Sequence, residues 1–225
     1  MQFSEIKNRL LQLDTACLCD AAKQQNLTEK SFRVLDPALR PVQTGRKLVG
    51  LAYTVSCYDD FLTVIYGLQQ AQPGDVLMVD GQNGRRALAG GLFTAEAARK
   101  GLAGIVIDGG CRDEADIRQV DLPVYARFRS PMAGTTNQFF SVQQPIMCGG
   151  VVVRPGQLVF GDDGIVVGET AVFAQLLPLA EAIQATEAQL SVAMAAGRSL
   201  IDMINLDAHL TKVQAGQLSQ LKFEI

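Results

Sequence analysis

Tryptophan is missing from the chain, and histidine occurs once, as His209. One imidazole cannot build a histidine-rich zinc or non-haem iron centre, so any metal here would be held by oxygen ligands. Without Trp there is little material for stacking on nucleobases. No cluster of Lys and Arg disturbs the balance of 20 basic against 23 acidic residues, a formal net charge of −3. That leaves no broad positive footprint for a nucleic-acid backbone. The five cysteines, Cys17, Cys19, Cys57, Cys111 and Cys148, include no C-x-x-C pair. An odd number set mostly in apolar runs suits reduced thiols used as small core residues. The N-terminal stretch has acids and amides at helical spacing and no apolar run long enough for a signal peptide or membrane span. The expectation is a cytoplasmic protein with neither nucleic-acid nor membrane partners. No repeat, linker or low-complexity tract divides residues 1–225, which predicts a single domain.

What is present is core-forming material. With 48% hydrophobic and 19% charged residues, a chain of this size buries roughly 70 to 75% of the surface its unfolded form exposes, which excludes a disordered protein. Phe3, Ile6, Leu10 and Leu13 share one helical face, and Asp14-Thr15 can cap a second helix running to about Gln25. KLVGLAYTVSCY, within Arg46–Tyr58, reads as a buried strand, and Phe61–Gln70 as a helix. Gln72-Pro73-Gly74-Asp75 reads as a turn and Val76–Asp80 as a second buried strand. A helix from about Gly91 to Lys100, with Leu92, Ala95, Ala98 and Arg99 on successive turns, leads to a strand at Ala103–Asp108. Strand, helix, strand is the order of a parallel crossover. An active site is therefore expected beyond the strand ends Asp80-Gly81 and Asp108-Gly109-Gly110.

Further along, Leu122–Phe128, Val151–Val153, Leu158–Gly161 and Ile165–Val167 predict short strands of an antiparallel layer, punctuated by Pro155-Gly156 and Asp162-Asp163-Gly164. After Gly168 the pattern is helical, broken at Pro178 and Gly197. The sum is a layered α/β domain.

Two glycine-rich segments carry the candidate chemistry. Gly90-Gly91 opens a helix whose first N–H groups have no internal partner, so it serves either close helix packing or the binding of a carboxylate or phosphate. Arg112-Asp113 follows Gly109-Gly110-Cys111 and would emerge nearby. Arginine offers a planar fork for a keto acid and Asp113 a hard oxygen for Mg²⁺; otherwise the two are an ordinary loop pair. Arg85 and Arg86 either receive a second acidic group or form a solvated face. Asp162-Asp163-Gly164 fits a hairpin turn, His209 a packing position, and Cys111 has no evident base nearby to activate it.

In this sequence Gly91 is followed by twenty residues, Arg112-Asp113, two residues, and Asp116. That spacing resembles the class II pyruvate aldolases acting on 4-hydroxy-4-methyl-2-oxoglutarate and 4-carboxy-4-hydroxy-2-oxoadipate, within the RraA-like family. The resemblance extends to Thr15–Asp20, GRKLVGLAYTV from Gly45, PGDVLMVDG from Pro73, GLAGIVIDGGCRD from Gly101 and GGVVVRPGQLVFGDDGIVV from Gly149. Pro131–Met147 departs from the Gly- and basic-rich segment of that family. The other branch consists of regulators that bind ribonuclease E and lack the acid at the position of Asp116.

The resemblance implies an α/β/β sandwich of the swivelling β/β/α type and assembly as a homotrimer or dimer of trimers. It implies a divalent cation, Mg²⁺ or Mn²⁺, ligated by Asp113, with Asp116 touching water around it. Arg112 would bind the keto oxygen and carboxylate of a 2-oxo acid, and the N–H groups of Leu92 and Phe93, just after Gly91, would hold that carboxylate. Glu187, ten residues before Gly197, would reach the site of a neighbouring subunit. The implied activity is cleavage of a 4-hydroxy-2-oxo acid to pyruvate and a second carbonyl compound, with oxaloacetate decarboxylation through the same enolate. No Lys stands in the glycine-rich motifs, as a class I aldolase would require.

Overall fold

Apolar runs flanked by helical patterns can bury both faces only as inner strands of a sheet. A computed structural model, describing residues 1–27 and 31–224, places them there. The chain begins with α1 (Phe3–Leu10) and α2 (Thr15–Gln24), then β1 (Phe32–Val34), β2 (Arg40–Pro41), β3 (Leu48–Ser56) and α3 (Leu62–Gln70). Next come β4 (Asp75–Asp80), β5 (Ala87–Ala89), α4 (Gly91–Arg99), β6 (Gly104–Cys111), α5 (Glu114–Gln119) and β7 (Val124–Arg129). The remainder is β8 (Ile146–Cys148), β9 (Val151–Val153), β10 (Leu158–Gly161), β11 (Ile165–Gly168), the long α6 (Thr170–Ala195), and α7 (Leu206–Gln214).

The main sheet runs β1-β11-β10-β3-β4-β6-β7-β2, with β5 also paired to β6. β3, β4, β6 and β7 are mutually parallel, so the crossover through α4 forms as expected. Alternation along each strand divides the core. Tyr53, Val55, Leu77, Val79, Ile105 and Ile107 pack under α3, α4 and α5, while Val49, Phe160 and Val166, on the same face, pack under α1, α2 and α6. Leu48, Ala52, Met78 and Val106 point the other way, against Ile146, Cys148 and Val153 of the β8–β9 hairpin. The layers are thus helices, large sheet and small hairpin, the α/β/β arrangement. The predicted cap also forms: Asp14 accepts from Cys17 N–H at 2.7 Å, an interaction worth about 1 kcal/mol.

Three expectations need correction. Val124–Arg129 does not join an antiparallel layer; it lies parallel to β6, because α5 makes a further, very short crossover after those through α3 and α4, one that a six-residue helix hardly announces in sequence. β10 and β11 are antiparallel but extend the main sheet through β3, and Val151–Val153 pairs only with β8. Pro178 does not break the terminal helix. α6 runs through it for 26 residues, since Leu176, Leu177 and Ala180 are buried against α1 and α2 and their packing outweighs the lost hydrogen bond. Gly197 does end α6. At φ +93 it lets its own N–H bond Met194 C=O and Arg198 N–H bond Ala193 C=O, a Schellman closure.

The buried face of α4 is Gly91, Thr94 and Ala97. Leu92 is 86% exposed, one step round the helix from the packed side.

Candidate active site

The site grows from the ends of two adjacent strands. β5 pairs with the end of β6, Ala87 opposite Gly110 and Ala89 opposite Cys111, so α4 and α5 start side by side. Arg112 N–H donates to Ala89 C=O at 3.1 Å, and Asp113 then turns through φ +56, ψ +44. That left-handed conformation costs a side-chain-bearing residue on the order of 1 kcal/mol, and aspartate is among the few that adopt it. The Asp113 side chain does not cap α5. Its Oδ2 lies instead 3.4 Å from Gly91 N and 3.5 Å from Arg112 Nε.

Glycine at 90 and 91 is a steric demand. A Cβ on Gly90 would stand 2.5 Å from Asp113 Oδ2, and one on Gly91 would stand 2.7 Å from Asp116 Cβ. Close packing and anion binding are therefore not competing explanations. The missing side chains let one guanidinium and two carboxylates reach the N-terminus of α4, where the N–H groups of Leu92 and Phe93 belong to the donors a helix leaves open. The Arg112 and Asp113 side chains are 45% and 40% exposed. Their ion pair is consequently worth little, and both keep hydrogen-bonding capacity for a ligand.

The donor chemistry fits an oxygen-seeking divalent cation. Asp113 and Asp116 supply hard oxygens, as Mg²⁺ prefers when it keeps most of its waters and takes one or two carboxylates. Cys111 offers no competing thiolate, because burial pushes its thiol up even though Arg129 pulls the other way.

A cleft of about 240 Å³ opens beside these groups. Phe61, Ile65, Leu88 and Ala133 line it; none stood out in the sequence, because they come from segments far apart along the chain and carry no chemistry of their own. Phe93 closes one side by an edge contact with Phe61, ring centroids 5.7 Å apart at 65°. The loop bearing Ala133 is held by Asp60. That buried carboxylate accepts from Leu62 N–H (2.9 Å), Thr135 Oγ1 (2.6 Å), Asn137 N–H (2.6 Å) and Gln138 N–H (3.1 Å). Burial alone would raise its pKa, but these four donors prevail and hold the carboxyl below its ordinary range. The only local sequence signal is an acid two residues before a helix start, an Asx turn. Asp59 Oδ1 likewise accepts from Arg85 N–H and Arg86 N–H, at 2.7 and 2.8 Å. Arg85 is exposed and Arg86 half-buried, and neither is among the described residues that line the cleft.

Other candidates stand apart. Glu187, exposed on α6, lies on the α2 side of the molecule, its Oε2 3.6 Å from Cys17 Sγ. Asp14, Cys17 and Glu187 bring ligand atoms within 4.8 Å of one another, yet the Cys17 thiol is pushed up to about 12, by burial first and then by its acidic neighbours. Within one chain Glu187 does not join Arg112. Asp108, at the strand end where a site was expected, faces the hairpin layer. It accepts from Arg127 Nε and from Gly149 N–H, the latter at 2.6 Å, and Arg127 Nη1 reaches Asp36 at 2.7 Å. Asp162-Asp163-Gly164 is the β10–β11 turn, closed by Asp162 N–H to Gly164 C=O at 2.9 Å. His209 Nδ1 packs 2.9 Å from Ser219 Oγ. Among the described residues no helix is long and apolar enough to cross a membrane.

Comparison with known proteins identifies the family. Residues 15–167 match the family described as RraA-like, Aldolase/RraA. A Halalkalibacterium halodurans protein named "Putative 4-hydroxy-4-methyl-2-oxoglutarate aldolase" is 34% identical over 158 residues, covering 69% of this chain and 72% of its own. One of the same name from Burkholderia multivorans is 35% identical over 159 residues, covering 70% and 96%. Among solved structures, the RNA-processing inhibitor RraA from Thermus thermophilis superposes with TM-score 0.60 at 27% identity, over 67% of this chain and 90% of that one. The family match spans β3, β4 and β6 together with the glycine pair, Arg112, Asp113 and Asp116, and the chain belongs to the RraA-like family.

Proposed function

We propose that this chain is a class II pyruvate aldolase, a lyase that cleaves a 4-hydroxy-2-oxo acid to pyruvate and a second carbonyl compound with the help of Mg²⁺ or Mn²⁺. The observation that carries this reading is the convergence of Arg112, Asp113 and Asp116 on the start of α4. A divalent cation on Asp113 would supply positive charge to the oxygen on which the enolate's charge develops, a contribution of several kcal/mol.

The chain's own residues do the rest. Arg112 engages the keto oxygen and the carboxylate together, each charge-assisted hydrogen bond adding about 1.5 to 3 kcal/mol. The N–H groups of Leu92 and Phe93 take the other side of the carboxylate. Asp116 takes up the proton of the C4 hydroxyl through a water that it holds. The C3–C4 bond then breaks, its electron pair moves to the keto oxygen as the enolate, and C3 takes up a proton to give pyruvate. Oxaloacetate would lose CO₂ through the same enolate. Among the described residues no lysine lines the cleft, so none of them offers an amine nucleophile for a Schiff base there. In this reading Glu187 acts on the site of a neighbouring subunit in a trimer or dimer of trimers. The other reading, a non-catalytic regulator binding ribonuclease E, is disfavoured by Asp116, which keeps a carboxylate where that branch has none.

The test is pyruvate release from a panel of 4-hydroxy-2-oxo acids with Mg²⁺, then with EDTA, then with Mg²⁺ or Mn²⁺ restored. Activity should disappear and return. Full activity in chelator refutes the metal-dependent mechanism.

A further inference from the structure

α5 is short and lightly anchored. It has six residues, its buried residue is Ile117, and the Asp113 side chain does not cap its start. A helix so short is not stable by itself in water, so contacts outside it set its orientation. That orientation matters, because Asp113 and Asp116 belong to its first turn: Asp116 N–H and Ile117 N–H both bond Asp113 C=O at 3.0 Å. Ile117 alone fixes a position and leaves a rotation free. Arg112 N–H on Ala89 C=O holds the chain on one side of Asp113, and a second hold is needed on the other.

Glu114, the residue next to Asp113, provides it. Its Oε2 accepts from Arg129 Nε at 2.7 Å and its Oε1 from Arg118 Nε at 3.0 Å. Arg118 belongs to α5 itself and ties the helix to nothing. Arg129 ends β7, opposite Cys111 in the β6–β7 ladder, where Ser130 N–H also bonds Cys111 C=O at 2.9 Å. The bond from Arg129 to Glu114 therefore joins the sheet to the first turn of α5. All of these contacts lie within one chain. With side chains 37% and 34% exposed, the ion pair adds little to overall stability. Its effect is on the direction in which Asp113 and Asp116 point.

We propose that Arg129 is a positioning residue: through Glu114 it holds the start of α5 so that Asp113 and Asp116 face the glycine pair, and it thereby raises affinity for a divalent cation. This rests on the aldolase reading, which puts the cation on Asp113. Charge and geometry make opposite demands here. A guanidinium near the site repels a cation and partly neutralises Glu114, so by charge alone its removal tightens binding. If Arg129 acts by position, its removal weakens binding, as does loss of other groups that orient a metal ligand.

The test is Mn²⁺ binding to the full chain, followed by the electron paramagnetic resonance signal of the free ion, with urea unfolding as the control for folding. Arg129→Met should bind Mn²⁺ about tenfold more weakly, with an unfolding midpoint close to that of the unaltered protein. Arg129→Lys, which keeps a donor, should recover part of the loss. Arg118→Met removes Glu114's other cation without cutting the tie to the sheet, and should bind no more weakly than the unaltered protein. Asp113→Asn should lose the site. Equal or tighter binding by Arg129→Met, or an equal loss in Arg118→Met, overturns the positioning role and leaves the aldolase reading untouched. Weaker binding by Arg129→Met, where the unaltered protein releases no pyruvate from any acid of the panel, supports the role and refutes the cleavage reaction. No Mn²⁺ bound by the unaltered protein, or Mn²⁺ held as tightly by Asp113→Asn, overturns both.

Discussion

Two arginine–aspartate groups sit at the ends of the same parallel strands, on opposite faces of the sheet, and they are put to different use. On the hairpin side, Asp108 spends both oxygens on Arg127 and Gly149 N–H, Arg127 bridges on to Asp36, and Asp36 also accepts from Ala38 N–H at 2.9 Å. Both carboxylates there meet donors within the fold. On the helix side, Asp113 has only two long contacts, at 3.4 and 3.5 Å, and Arg112 shares one of them. The same residue types make a structural clamp where their hydrogen-bonding capacity is used, and leave groups open to a ligand where it is not. What distinguishes them is geometry: Asp113 is turned by its left-handed backbone toward a pair of glycines, whereas Asp108 emerges into a layer rich in donors.

The contrast can be broken at its open end first. Arg112→Lys should cut turnover on the order of 100-fold or more, because a point charge cannot reproduce a planar fork on keto and carboxylate oxygens. Its urea unfolding midpoint should match that of the unaltered chain. Near-normal kinetics would return Arg112 to an ordinary loop position.

The clamp should behave in the opposite way. Arg127→Met leaves two partly buried carboxylates facing each other without their shared cation, and should cost about 3 kcal/mol in urea unfolding. Pyruvate release per folded molecule should be nearly unchanged. A large loss of kcat with normal stability would show that the two groups are coupled.

A smaller, partial signal would show whether the open site is completed by a second chain. Arg112→Ala and Glu187→Ala proteins, each impaired alone, should regain up to about a quarter of normal sites when mixed under subunit exchange, since a heterologous ring pairs an intact Arg112 with a neighbour's intact Glu187. A mixture that stays inactive despite verified exchange places Glu187 outside the reaction.

The smallest effect concerns the loop beneath the cleft. Asp60 has its folded pKa lowered from an ordinary 3.8, so its stabilisation is complete above that value and is lost as pH falls through the lower folded value. Unfolding measured between about pH 6 and pH 2 should show an acid limb that Asp60→Asn reduces. An unchanged limb in the variant would mean that other carboxylates carry the acid sensitivity.

Much of the scaffold was legible in the sequence. β3, β4 and β6 are unbroken apolar runs with glycine or turn signals at their ends, and burial on both faces leaves such runs no other place than the middle of a sheet. The nearness of Arg112 and Asp113 to the start of α4 was legible too, because a parallel crossover brings the residues after one strand to the start of the neighbouring helix, whereas Asp116 was singled out only by the resemblance to the aldolases.

Other features were decided elsewhere in the fold. α6 passes through Pro178 because packing against α1 and α2 outweighs a local preference, and β7 runs parallel because the short α5 suffices to cross over. Asp60 gathers donors from Leu62 and from residues 135–138, and the apolar cleft joins Phe61 and Ile65 to Leu88, Phe93 and Ala133. The sequence by itself determined which runs are buried and which charged residues follow a strand, since those depend on neighbours along the chain. Only the tertiary structure decided which of those charges are left open and what surface lies beside them, because hydrogen-bond saturation and cleft lining depend on contacts between residues distant in sequence.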